Sequence, residues 1–212
     1  MSFEGFPEAA LDFYDDLEMD NTKSFWQAHK HVYDDAIRAP MLALTGALAE
    51  EFGQAKVFRP YRDVRFAKDK TPYKTAQGAC VSVGPATGWY VEIGSPGVRV
   101  GGGYYHAGGP DLARIRTAID TPHSGEELER LVADLRAGGF EVRGEQLKTS
   151  PRGYAADHPR IDLLRYKSMA LGRSYGFEKV IHAPDLLDRV RDDWRTLRPL
   201  VDWVRARVDV IG

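Results

Sequence analysis

Ala79-Cys80-Val81-Ser82-Val83-Gly84-Pro85-Ala86-Thr87-Gly88-Trp89-Tyr90-Val91-Glu92-Ile93-Gly94-Ser95-Pro96-Gly97-Val98-Arg99-Val100 is the stretch that decides the fold class. Ala79, Val81 and Val83 alternate with smaller or polar residues, as do Trp89, Val91 and Ile93, and then Val98, Val100 and Tyr104. A period of two with branched and aromatic residues predicts strands. Gly84-Pro85-Ala86-Thr87-Gly88 and Gly94-Ser95-Pro96-Gly97 are turn sequences of the length that joins antiparallel neighbours. The expectation is an antiparallel meander, its third strand interrupted by Gly101-Gly102-Gly103.

On the N-terminal side the period is helical. Ala10, Leu11, Tyr14 and Leu17 share one face of a helix expected over Pro7–Leu17, with proline in its first turn. Asp20 or Asn21 is expected to cap a second helix carrying Phe25, Trp26, His29, Tyr33 and Ile37. Pro40 disfavours helical geometry at Ala39, which predicts a kink or restart before Met41, Leu44, Leu48 and Phe52, and Gly53 closes the segment. Val57 to Phe66 then alternates and reads as a strand. In that register Arg62 shares a face with Phe58, Val64 and Phe66. A guanidinium there needs a partner, either a carboxylate such as Asp12, Asp16 or Glu92 or a bound anion. Lys68–Tyr73 carries turn chemistry and reads as a loop.

On the C-terminal side helices are expected over Asp111–Ile119 and Ser124–Arg136, the second with Ser124 and Glu127 as a capping box. A short strand near Phe140–Arg143, a helix over Pro159–Arg165 and a strand at Tyr166–Leu171 follow. The last helix holds Leu187, Val190, Trp194, Leu197, Val201, Val204 and Val208 on one stripe. Helices, then strands, then helices, with no linker between them, predict a single α+β domain over residues 1–212. Its antiparallel sheet has about five strands, covered by N-terminal helices and crossed by the long C-terminal one.

The chain has 212 residues, 43% hydrophobic and 28% charged, which is a globular composition. One cysteine, Cys80, excludes an internal disulfide. Glu4, Glu8, Asp12, Asp15, Asp16, Glu18 and Asp20 precede the first basic residue, Lys23, unlike a secretory signal, and no apolar run is long enough to span a membrane. A cytoplasmic protein with no membrane partner is expected.

Charge is unevenly spread. The net charge is −2, yet Lys56–Lys74 contains seven basic residues (Lys56, Arg59, Arg62, Arg65, Lys68, Lys70, Lys74) against two acids, Asp63 and Asp69. Such a local excess has three readings. Guanidinium forks and lysine point charges suit the phosphate or carboxylate of a small molecule. The same cations suit a non-enzymatic nucleic-acid or protein-interaction module, gripping a nucleic-acid backbone with Tyr61, Phe66 or Tyr73 as stacking surfaces. The third reading is internal pairing, in which the acidic first twenty residues fold against the stretch. A second basic and aromatic group, Arg152, Tyr154, Arg165 and Lys167, lies later, and its convergence with the first over the glycine-rich strand would make a cationic pocket.

Residues expected to bind the ligand are Arg59, Arg62, Arg65, Lys68, Lys70, Tyr73, Lys74, Tyr104, Arg152, Tyr154 and Lys167. Asp63 orients the guanidinium groups, and Asp63 and His106 are the candidates for proton transfer if there is chemistry. Gly101-Gly102-Gly103 lacks the ending of a phosphate-binding loop and reads as a bulge or a point of close approach. The histidines are not spaced as ligands and no nucleophile elbow is present, so neither metal nor cofactor is expected.

Asp20-Asn21-Thr22-Lys23-Ser24-Phe25-Trp26 and Tyr61-Arg62-Asp63-Val64-Arg65-Phe66-Ala67-Lys68-Asp69-Lys70-Thr71-Pro72-Tyr73-Lys74 resemble domain of unknown function family 2461. Gly101-Gly102-Gly103-Tyr104, Pro151-Arg152-Gly153 and Leu164-Arg165-Tyr166-Lys167-Ser168 extend the resemblance from about Phe6 to Trp203. Two positions depart from it: the family usually reads Trp-Phe at Phe25-Trp26, and has serine at Ala67, which counts against a mechanism needing a hydroxyl there. The resemblance implies no particular reaction.

Overall fold

The computed structural model describes residues 2–105 and 107–208. Its strands form one antiparallel sheet of six, in the order β1-β2-β3-β4-β6-β5, one more strand than expected. They are β1 (Ala55–Val57), β2 (Ala76–Gly84), β3 (Thr87–Gly94), β4 (Gly97–Tyr104), β5 (Glu141–Arg143) and β6 (Met169–Gly176). The meander β2-β3-β4 is as the alternation predicts. Val81, Val91, Ile93, Val98 and Val100 are all buried. Among the described residues no helix is long and apolar enough to cross a membrane.

The chain divides into two compact units. The first comprises Met1–Val81, Tyr90–Val100 and Ser174–Asp192, and the second Ser82–Trp89, Gly101–Arg173 and Asp193–Gly212.

In the first unit, α1 (Ala9–Met19) starts two residues after the expected proline. Thr22, rather than Asp20 or Asn21, caps α2 (Lys23–Val32), its hydroxyl accepting from Phe25 N–H at 3.2 Å. Asn21 is committed elsewhere, as described below. The restart expected at Ala39 is present, but without loss of helical geometry: Ala39 keeps helical angles (φ −65°, ψ −47°). A wide π turn, Tyr33–Arg38, leads into α3 (Ala39–Phe52), and the Ala39 N–H reaches back five residues to Asp34. The wide turn absorbs the register change next to a residue with no N–H to donate.

In the second unit, α4 (Gly109–Asp120), α5 (Pro122–Ala137) and α6 (Ile161–Leu164) fall near their expected positions. The capping box does not form. α5 begins at Pro122 after Thr121, so Ser124 is already inside the helix. Ser124 and Glu127 instead accept from Arg207 of α7 (Leu186–Val208), each at 3.1 Å. β6 starts at Met169, three residues later than expected, because Tyr166 and Lys167 are taken by bonds to the 145–146 segment.

β4 runs unbroken through the three glycines. A Cβ on Gly102 would stand 3.1 Å from Val201 Cγ2 and 3.4 Å from Leu197 Cβ, so the C-terminal helix packs directly on bare backbone there. Gly103 has φ +141°, and a Cβ would approach the Met169 carbonyl to 2.4 Å. Close packing by α7 and β6 accounts for both glycines. Trp89 seals this contact by donating its indole N–H to the Trp194 carbonyl at 3.0 Å.

Candidate functional site

Residues 58–75 form no strand. β1 stops at Val57, and the only pairing in the stretch is an isolated bridge between Tyr61 and Tyr73. The expected strand over Val57–Phe66 is therefore corrected to a loop. Its alternation does not reflect burial: Phe66 is 97% exposed, and Arg62 is half-buried and paired with Asp69.

The loop is pinned at its base. Asn21 donates its side-chain amide to the Tyr73 carbonyl at 3.0 Å and accepts from the Tyr73 N–H at 3.1 Å. Two backbone bonds, Arg62 N–H to Pro72 O and Lys74 N–H to Pro60 O, hold the two arms together, each at 2.8 Å. Buried Gln77 donates to the Phe58 carbonyl at 2.8 Å and accepts from Tyr33 Oη at 2.5 Å. Tyr73 stacks on Trp26 with centroids 4.3 Å apart and planes 7° from parallel, and Tyr61 leans against both rings. Burial, followed by the neighbouring Tyr61 hydroxyl, raises the Tyr73 pKa.

The cations of the loop divide into two sets. Arg62 pairs with Asp69 and also bonds Thr71, so its partner is neither Asp12, Asp16 nor Glu92. Arg65 makes a two-pronged contact with Asp63, at 3.0 Å from Nε and 2.7 Å from the terminal nitrogen. These hydrogen bonds lower the Asp63 pKa and raise that of Arg65. A carboxylate stabilised in its ionised form is a weak base, so the geometry suits Asp63 to orienting Arg65. The Asp69 carboxyl, bonded by the Thr71 backbone N–H, the Arg62 guanidinium and the Thr71 hydroxyl, is held at about 2.

Among the described residues the second set, Arg59, Lys68, Lys70 and Lys74, forms no ion pair with a carboxylate, and neither does Lys56 in the adjoining β1; Arg59 acts on Asp63 only through space. Lys70 donates to the Val64 carbonyl at 2.9 Å, which shapes the loop without neutralising the charge. Lys74 sits 5.3 Å from the centre of the Phe58 ring, and desolvation, then repulsion from Arg59, lowers its pKa. None of the acids from Glu4 to Asp20 forms an ion pair with the loop. Two of the six cations of the loop are thus ion-paired within it, and the other four form no ion pair among the described residues.

Trp26 adds a donor that sequence reasoning overlooked. It is 3% exposed, and its indole N–H has no hydrogen-bond partner. The sequence pattern of α2 included Trp26 among the residues of the helix, but nothing in it marked the indole nitrogen.

The remaining predicted residues lie in the second unit. Lys167 pairs with Glu145. Tyr154 is half-buried, edge-on to His158 at 6.2 Å, and Arg152 is exposed. Tyr104 is buried at 1% exposure, and burial pushes its phenol above the ordinary range. His106 lies outside the described residues. Surface depressions at Asp34, Arg38, Leu42 and Gly46 (about 560 Å³) and at Ser2, Glu4 and Asp35 (about 300 Å³) contain none of the predicted residues. Among the described residues no group of three or more histidine, cysteine or acidic side chains is placed to hold a metal ion.

No curated protein and no solved structure matches the chain. Residues 9–203, including the loop and the second group, match the family described as Conserved hypothetical protein (DUF2461), and the chain belongs to that family.

Proposed function

We propose that the 58–75 loop binds a phosphate- or carboxylate-bearing small molecule. The observation carrying this reading is the division of its cations. Asp63 and Asp69 use their charge chiefly on Arg65 and Arg62, with Arg59 acting on Asp63 only through space, while among the described residues Lys68, Lys70 and Lys74 form no ion pair with a carboxylate. Uncompensated cations on a clamped loop attract an anion and lose little freedom in meeting it. Arg62, fixed by Asp69 and Thr71, orders the loop from which the lysines project.

A second reading is a surface for nucleic acid. It is favoured by Phe66, 97% exposed between Arg65 and Lys68, and by Tyr61, 47% exposed on the Trp26–Tyr73 stack. Exposed rings beside cations are the stacking arrangement for unpaired bases.

A thermal-shift screen against nucleotides, sugar phosphates, polyphosphate and oligonucleotides, at low and physiological salt, tests both. A small anion that raises the midpoint at physiological salt, with the shift lost in a folded Lys68→Ala/Lys70→Ala variant, supports the first reading. Shifts limited to oligonucleotides and fading steeply with salt support the second. No shift with any ligand overturns both.

A further inference from the structure

We infer that Tyr104, Arg116 and Arg165 form a separate oxyanion-binding site within the second unit, taking a phosphate or carboxylate group. Three donor atoms there are buried and have no hydrogen-bond partner: Tyr104 Oη, one terminal nitrogen of Arg116, and Arg165 Nε. Natural proteins rarely leave such groups unsatisfied, because each costs the desolvation of a polar or charged atom. Tyr104 is 1% exposed, so its hydroxyl cannot turn to solvent.

The three residues are tied to one neighbourhood. Arg116, on α4, donates Nε to the Leu164 carbonyl at 3.0 Å, and Leu164 directly precedes Arg165 at the end of α6. Arg116 and Tyr166 both act electrostatically on the Tyr104 phenol, which ends β4. Arg165 meets its one carboxylate, Asp162, only at 3.5 Å, and Asp162 is 88% exposed. Among the described residues Arg116 makes no ion pair.

The chemistry of the donors identifies the ligand class. A guanidinium donates and cannot accept, and the phenol supplies one further donor. A water molecule serving such a group would accept from two donors and still need acceptors for its own protons. An oxyanion accepts from all three and balances two positive charges. Guanidinium contacts to phosphate or carboxylate are also among the stronger hydrogen bonds available. The spacing of residues 104, 116 and 165 conceals the cluster in the sequence, and Arg116 carried no signal there. This inference does not depend on the loop at 58–75.

Isothermal titration with inorganic phosphate and with acetate, at about 150 mM salt, tests it on the full chain. The expected result is saturable binding of one of the two, and the arm that binds identifies the anion class. Tyr104→Phe keeps the ring and removes the hydroxyl; it is expected to weaken binding about tenfold, as is Arg116→Gln. Lys68→Ala/Lys70→Ala is expected to leave this binding unchanged, which separates it from anion binding by the loop. If Arg116→Gln does not fold, through loss of its bond to Leu164, the Tyr104→Phe titration decides alone. The inference is overturned by no binding of either anion, by equal affinity in Tyr104→Phe and the wild-type protein, or by loss of binding in the loop variant.

Discussion

Asn21 holds Tyr73 by both its backbone groups, donating to the carbonyl at 3.0 Å and accepting from the N–H at 3.1 Å across fifty-two residues of sequence. A side-chain amide carries both a donor and an acceptor and completes both halves of this contact, so the basic loop is fastened to the start of α2 through one residue. Asn21→Leu is expected to destabilise the protein by about 1–3 kcal/mol, since it leaves two part-buried backbone groups unpaired. Asn21→Asp retains the acceptor alone and should fall between. Chemical denaturation of the three proteins measures the order, and equal midpoints would show that the clamp contributes nothing.

Asp69 makes the loop sensitive to acid. Its folded pKa of about 2 lies below the ordinary value of 3.8, so the unfolded chain binds the proton more readily. Its contribution is present above the unfolded value and is lost as pH falls through the folded one. Between about pH 4 and pH 2 the wild-type protein is expected to lose stability more steeply than Asp69→Asn. Parallel thermal scans across that window check the sign, and identical slopes would contradict it.

The glycines of β4 and α3 predict opposite responses to one added methyl. Gly103→Ala places a Cβ 2.4 Å from the Met169 carbonyl at φ +141°, and backbone cannot yield there cheaply. A loss of about 2 kcal/mol or more is expected. Gly46, inside α3, has nothing within 4 Å of its would-be Cβ, so Gly46→Ala should stabilise by about 0.5–1 kcal/mol. Melting temperatures of the two variants against wild type decide both.

Phe66 separates binding from folding. At 97% exposure its ring contributes almost nothing to the core, and Phe66→Ala is expected to leave the melting temperature within about 0.5 kcal/mol equivalent of wild type. On the nucleic-acid reading the same variant loses about 1–3 kcal/mol per stacked base in oligonucleotide affinity. Fluorescence anisotropy with a short labelled single strand measures this. Unchanged oligonucleotide affinity would remove Phe66 from that reading.

Local periodicity by itself determined the α+β class, the β2-β3-β4 meander and α7, because burial alternates along a strand and recurs every turn of a helix, and composition alone determined the concentration of charge at Lys56–Lys74. It misread 58–66, where Val64 and Phe66 alternate with arginines but Val64 is only half-buried and Phe66 is exposed. Periodicity records composition, and only a neighbour makes a face buried. Helix caps were decided the same way: Ser124 has the spacing of a capping box, yet Arg207 recruits it, and Asn21 leaves the cap to Thr22 in order to hold Tyr73. The Arg62–Asp69 and Arg65–Asp63 pairs lie within ten residues and were open to local reasoning. Which cations remain without a carboxylate was decided by tertiary structure, as was the neighbourhood of Tyr104, Arg116 and Arg165. Pairing and burial depend on distances between segments far apart in the chain, and no local pattern encodes them.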